Sequence, residues 1–381
     1  MKYAVSIGLR LGMISVLRIF GLMVIVPILF NHIGDYGSTY GGLGFAIGIY
    51  GLCQALGQIP FGRLSDLIGR QEALTLGLLI FALGCVIAAF SHSLMGLIIG
   101  RALQGGAAVN GVVSAYAIDL VQEKERPVVL GVIGGMIGLM FFLAIGVAPF
   151  LDYYFGLVGI FKLTAFLSLC SIPWLWLMIP KPTQSCDAPA WDMTLFYDAQ
   201  FLWCAGCAGL IHGVFTVTFS LLPSFLKQST GQPSMDVIYG LSMLVAACVI
   251  CVAMRKLTKA YHQQYHAVPW LLLVMGLCLL QLSQTMSIVL SLGLFIAVFG
   301  LLEAILPSIL AYTVQSGTRG AIMGGFYAFA QLGVFIFSAF AGTMRNHVST
   351  ATVFLILGAV LITWGLGRKV WCFKYDTNYN L

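Results

Sequence analysis

The sequence predicts an all-α membrane protein of twelve transmembrane helices in two six-helix bundles, and three observations carry that expectation. Of its 381 residues, 60% are hydrophobic and 8% charged, with a mean hydropathy of +0.98, whereas about 25% of a soluble domain is charged. Twelve apolar stretches come close to the length of about 20 residues that spans a hydrocarbon core. One sustained polar, proline-containing segment falls after the sixth stretch and divides the chain into residues 1–180, a linker at 181–197 and residues 198–381.

The first stretch, 10–31, begins like a signal peptide, with Lys2 and Arg10 ahead of the apolar run. It runs past an ordinary h-region and lacks an A-x-A-type cleavage site, so it reads as a retained span. Spans 2 and 3 (41–61 and 72–91) flank a short polar loop, and span 4 (94–118) holds Arg101 and ends at Asp119. Span 5 (127–150) is rich in glycine, and span 6 (156–179) leads into the linker. Spans 7, 8 and 9 (198–226, 236–254 and 267–285) follow, the first of them holding His212. Span 10 (287–312) carries Glu303 near its middle, and spans 11 and 12 (320–343 and 348–370) complete the set.

The basic residues orient this array. Placing both termini and every even-to-odd loop on one side collects fourteen of the nineteen Lys and Arg residues there; the opposite loops hold Lys227 and Arg345, and Arg18, Arg101 and Lys162 lie within spans. Positive charge stays on the cytoplasmic side, so both termini are expected there. The net charge of +6 then reflects topology, and no nucleic-acid partner is expected. Eight of the ten cysteines lie within spans, and the pairs Cys204/Cys207 and Cys248/Cys251 lack the companion ligands of a zinc site. No metal is expected. There is no Walker A sequence, no H-E-x-x-H and no pair of acids within spans, so the chain reads as neither an ATP-driven pump nor an enzyme, and no catalytic residue is assigned.

The loop between spans 2 and 3 reads Gly62-Arg63-Leu64-Ser65-Asp66-Leu67-Ile68-Gly69-Arg70. Gly62 and Gly69 suit a sharp turn because glycine accepts positive φ, and Arg63, Asp66 and Arg70 sit where lipid ends. The segment resembles the G-x-L-x-D-x-x-G-R signature of the major facilitator superfamily. That resemblance implies two parallel six-helix halves, each a 3+3 inverted repeat. It also implies a gate on the cytoplasmic face formed by Gly62, Asp66, Gly69, Arg70 and Asp119, with Asp119 paired to Arg70. A weak internal repeat agrees: Ser114-Ala115-Tyr116-Ala117 aligns with Leu310-Ala311-Tyr312-Thr313, while the second copy of the loop has decayed to Arg255-Lys256-Leu257-Thr258-Lys259.

Arg101-Ala102-Leu103-Gln104-Gly105 resembles the R-x-x-Q-G motif of the same superfamily, which implies a part in proton coupling. An arginine inside a span is costly unless it faces protein or water. Span 5 carries Gly131, Gly134, Gly135, Gly138, Gly146 and Pro149. Small residues at this spacing permit close helix packing and a proline bends a helix, so Gly134, Gly138, Gly146 and Pro149 are expected at a tight helix contact. The pattern resembles the antiporter motif of exporters, although Gly146 and Pro149 stand apart where that motif joins them.

Of thirteen acids, Glu303 is the only one deep within a span. Low dielectric favours a neutral carboxyl, and an acid that gains and loses a proton near neutral pH is what a proton-coupled carrier needs. Arg18 in span 1 is a second intramembrane arginine, and His212 could titrate near neutrality. The patterns around Arg18, Glu303 and His212 together resemble YajR-type bacterial inner-membrane exporters. The expected function is therefore secondary export of an amphipathic small molecule by proton antiport, through Glu303, Arg101, Arg18 and His212, with protons as the coupling ion and no cofactor. A proton symporter importing a nutrient is the alternative. A monomer in the bacterial inner membrane is expected.

Overall fold

The computed structural model describes residues 2–122, 125–181, 197–229, 235–257, 261–281, 288–313 and 319–372, all helices and connections; no strand occurs among them. In chain order the helices are α1 (Lys2–Ile25), α2 (Tyr40–Ile68), α3 (Arg70–Phe90), α4 (Leu94–Gly106), α5 (Val109–Asp119), α6 (Arg126–Met178), α7 (Ala199–Ser229), α8 (Met235–Leu257), α9 (Tyr261–Gln281), α10 (Ile288–Thr313), α11 (Arg319–Arg345) and α12 (Thr350–Cys372). Six of the described segments are long and apolar enough to cross a membrane, and the two arms of α2, bent by 47° at Pro60, make a seventh. Most of the linker, residues 182–196, lies outside the described residues.

Four boundaries differ from the sequence expectation. The first helix starts at Lys2 and stops at Ile25, where a 3-10 turn over Leu29–Tyr36 takes over. The polar segment between spans 2 and 3 is mostly helix. Gly62 lies inside α2, and the whole reversal falls on Gly69, at φ 104°, because the polar residues of this segment can ride on the exposed face of a helix that has already bent at Pro60. Span 4 is a broken helix, α4 and α5 being parted at Ala107 and Ala108, whose ψ values are 62° and 61°. Spans 5 and 6 run together as α6, and the residue with non-helical angles is Gly156 (φ 62°, ψ 175°), not Pro149. Glycine takes that φ without a steric penalty.

The described helices pack into two compact units: residues Met1–Pro223 with Gln315–Asn346, and residues Ser224–Val314 with His347–Leu381. In the first unit, one apolar core joins Ala4, Ile7, Leu11 and Ile14 of α1 to Leu74 and Leu78 of α3, Val109, Val112, Val113 and Tyr116 of α5, and Val129 and Ile133 of α6. Glycines admit the close approaches: Gly8 and Gly12 of α1 lie on Val132 and Met136 of α6. α11 joins this unit through α2. A methyl group added at Gly48 would sit 2.9 Å from the Phe335 carbonyl oxygen, and one at Gly51 would sit 2.5 Å from that of Gln331. The second unit is held by α8 on α10, α9 on α10 and α9 on α12, with Gly276 against the Gly358 carbonyl and Gly293 against Ser242 and Val245.

Candidate functional site

Gly69 sets the geometry at the α2–α3 corner. Its backbone, closed to residues with a Cβ, starts α3 so that Arg70 turns back over α2. The Arg70 guanidinium donates from Nη1 to Ser65 Oγ (2.5 Å) and to Asp66 Oδ1 (2.6 Å), and from Nε to Asp119 Oδ2 (2.8 Å). Ser65 Oγ in turn donates to the Gly62 carbonyl at 2.7 Å. Asp119, with its side chain 7% exposed, and Arg70, at 13%, form the protected pair, while Asp66 is 41% exposed. The structure thus brings Asp66, Gly69, Arg70 and Asp119 together and ties α2, α3 and α5 at this end of the unit.

Next to this knot the carbonyls at the end of α6 and just beyond it find side-chain donors. Arg10 Nη1 donates to Met178 O (3.0 Å), Gln71 Nε2 to Ile179 O (2.9 Å) and the Tyr116 hydroxyl to Pro180 O (2.9 Å). A helix end leaves such carbonyls without intrahelical partners, and here α1, α3 and α5 supply them.

Deeper in the first unit lie two guanidiniums, each about 1% exposed. Arg18 Nη1 donates to the Ala107 carbonyl (2.9 Å) at the α4–α5 break, and its guanidinium sits 5.9 Å from the Phe81 ring centre. Arg101 donates from Nη1 to Gln104 Oε1 (2.9 Å) and lies 4.9 Å from the Tyr50 ring centre. Among the described residues, Arg18 Nε and Nη2 and Arg101 Nε have no hydrogen-bond partner, nor do the buried polar atoms Ser15 Oγ, Tyr50 OH, Gln54 Oε1, Gln104 Nε2 and Asn110 Oδ1 of the same unit. No group of three or more metal-ligating side chains occurs among the described residues.

A sequence profile of the Major Facilitator Superfamily matches residues 11–315. The chain belongs to the Major Facilitator Superfamily. It is 30% identical to the inner membrane transport protein YajR of Escherichia coli (strain K12) over 366 residues, 93% of this chain and 80% of that one. It is 31% identical over 140 residues to the class H tetracycline resistance protein of Pasteurella multocida, 36% of this chain and 35% of that one. A crystal structure of a mutant of nucleoside transporter NupG superposes with a TM-score of 0.74 at 13% identity, covering 96% of this chain and all of that one. As a superfamily member the protein is a secondary transporter of small molecules embedded in a membrane, and not an enzyme.

Set in that superfamily fold, the remaining expected residues fall as follows. Arg18, Arg101 and His212 belong to the first unit, with His212 midway along α7, and Glu303 belongs to the second, midway along α10; His212 and Glu303 are both partly buried. The glycine stripe of α6 departs from its expected role. A methyl group added at Gly131, Gly134, Gly135, Gly138 or Gly146 meets no atom of the described residues within 4 Å. Among the described residues the expected tight contact of Gly134, Gly138 and Gly146 is therefore not made.

Sequence reasoning passed over one cluster. His32, in the turn after α1, is clamped between two carboxylates, Nδ1 at 2.7 Å from Asp35 Oδ2 and Nε2 at 2.8 Å from Asp152 Oδ1. The hydrogen bond to Asp152 raises the His32 pKa above its ordinary value, against the lowering effect of burial, and Asp35 adds to the rise. The i, i+3 spacing of His32 and Asp35 was visible in the sequence. Asp152, 120 residues away, was not.

Proposed function

We propose that this superfamily member exports an amphipathic small organic molecule from a bacterial cytoplasm in exchange for protons, with both termini on the cytoplasmic side of the inner membrane and residues 1–180 and 198–381 as pseudo-symmetric halves of six spans. The observation that carries the proton coupling is Glu303. It is an acid midway along α10, within the otherwise apolar run Leu301-Leu302-Glu303-Ala304-Ile305-Leu306. An ionisable side chain within a membrane span marks a route for protons or ions, and Arg101, Arg18 and His212 supply the polar surroundings in which charge is traded. Export is favoured by the partial likeness to a tetracycline resistance protein and by the antiporter-like glycines of α6. The Arg70 knot with Asp66 and Asp119 serves as the cytoplasmic gate, making and releasing its ion pairs as the carrier alternates. The carrier works as a monomer and needs no cofactor beyond protons.

The substrate is found by comparing metabolites in medium and cells of a deletion strain and its parent. With that compound outside inside-out vesicles, an acidified lumen drives its accumulation if the protein is an exporter, because protons leaving the lumen exchange for substrate entering it. Accumulation that needs an acid exterior identifies a symporter and replaces this reading. Glu303→Gln is expected to abolish the response to the pH gradient while the protein still reaches the membrane; unchanged gradient-driven flux removes Glu303 from the mechanism.

A further inference from the structure

We propose that the first unit holds a mid-membrane anion site framed by Arg18 and Arg101, so that the transported molecule is an organic anion, with a carboxylate or sulfonate joined to an apolar body. The inference deepens the carrier reading and rests on it only for the claim that the bound molecule is carried.

The argument starts from charge. Arg18 and Arg101 are both about 1% exposed, and among the described residues no carboxylate pairs with either. Among the described residues, Arg18 makes one hydrogen bond, to the Ala107 carbonyl, and lies over the face of Phe81, and Arg101 makes one, to Gln104, and lies over the face of Tyr50, with Cys85 in electrostatic reach. The two groups share a neighbourhood. Tyr50, Phe81, Cys85 and Ala107 belong to one buried cluster with Ile19 and Leu22, and Phe81 and Cys85 lie one turn apart on α3. Two like charges in one buried region, each lacking a counter-charge, carry a desolvation cost of several kcal/mol per ion that a paired anion offsets. Arginine is also the side chain best shaped to bind a carboxylate or sulfonate through two parallel hydrogen bonds.

The free donors are the second observation. Arg18 leaves Nε and Nη2 unpartnered and Arg101 leaves Nε, so both guanidiniums retain donors after their protein contacts are made. The broken helix is the third. Broken helices at membrane depth occur where the break is buried in protein or lines a cavity, and in carriers they frame substrate sites; the α4–α5 break falls beside Arg18, with Asn110 Oδ1 unpartnered among the described residues at the start of α5. The apolar body has a place as well: Phe141 and Met23 pack on the same cluster, and Phe141 continues to Phe215 at 5.1 Å and then to Phe219 at 4.5 Å.

The test uses the full chain in detergent and three probes of one shape: 2-naphthalenesulfonate, 2-naphthalenesulfonamide and 2-naphthylmethylammonium, read by the shift in thermal unfolding midpoint. The sulfonate is expected to stabilise the wild type in a saturable way, the other two not. Arg18→Gln and Arg101→Gln are each expected to weaken sulfonate binding at least tenfold, with Arg18→Lys in between. Should either Gln variant fail to fold, the charge series on the wild type decides alone. Equal binding of the sulfonamide, tighter binding of the ammonium, or no response to the sulfonate, benzenesulfonate and inorganic phosphate overturns the inference. Proteoliposome flux separates it from the carrier reading. Sulfonate that binds but moves without regard to the pH gradient defeats proton antiport and leaves the anion site standing. Gradient-driven flux of a neutral compound that binds without the two arginines does the reverse.

Discussion

Two glycine stripes run through the first unit and meet opposite fates. On α2, Gly44, Gly48 and Gly51 lie so close to α11 that an added methyl would strike the carbonyl oxygens of Ser338, Phe335 and Gln331, and Gly342 answers from α11 against Gly44. On α6, a methyl added at Gly131, Gly134, Gly135, Gly138 or Gly146 meets no atom of the described residues within 4 Å. Both stripes have the spacing that lets helices approach in lipid. Spacing therefore records a capacity for close contact, and the packing around it decides whether the contact is made in a given conformation.

The largest expected effect comes from filling the used stripe. Gly48→Leu pushes a branched side chain into backbone that cannot move aside, and is expected to cost about 3 kcal/mol, the upper part of the overpacking range, read as a lower unfolding midpoint in detergent. Gly138→Leu is expected to leave that midpoint unchanged and still to lose transport, because its side chain obstructs a state other than this one. Equal destabilisation by the two would erase the distinction between the stripes.

The Arg70 knot sharpens the contrast at the neighbouring end of the unit. Asp119 is nearly buried and leaves Arg70 Nε unsatisfied when its carboxylate is removed, so Asp119→Ala is expected to cost about 1–3 kcal/mol. Asp66 is well exposed, and Asp66→Asn is expected to cost about 0–1 kcal/mol in stability. If the knot is a gate, Asp66→Asn nonetheless changes the labelling rate of cysteines introduced on the cytoplasmic face. A rate that does not move limits the knot to a structural role.

The smallest effect belongs to His32. Its pKa is raised in the folded chain, so the clamp's contribution is fully present below the unfolded value of about 6.5 and is lost as pH rises through the raised folded value. His32→Gln is expected to lower the unfolding midpoint at pH 6, by about 1 kcal/mol or less as for part-exposed ion pairs, and to have no effect at pH 9. A pH-independent difference would show that the ring packs without carrying charge.

Composition and span length by themselves determined that the chain is all-helical and lives in a membrane, because no arrangement but paired backbone survives in hydrocarbon. The nine residues from Gly62 to Arg70 likewise identified the superfamily, since glycine, acid and arginine at those spacings encode a local knot whose parts, Asp119 apart, lie within a few residues of one another. Tertiary structure alone decided the rest. That Arg18 donates to the Ala107 carbonyl at the α4–α5 break, 89 residues along the chain, depends on α1 lying against that break. That His32 meets Asp152, and that one glycine stripe is filled while another is bare, depends on which helices lie side by side. Such contacts join residues far apart in the chain, and their energies belong to the pair and not to either residue, so no local pattern in the sequence records them.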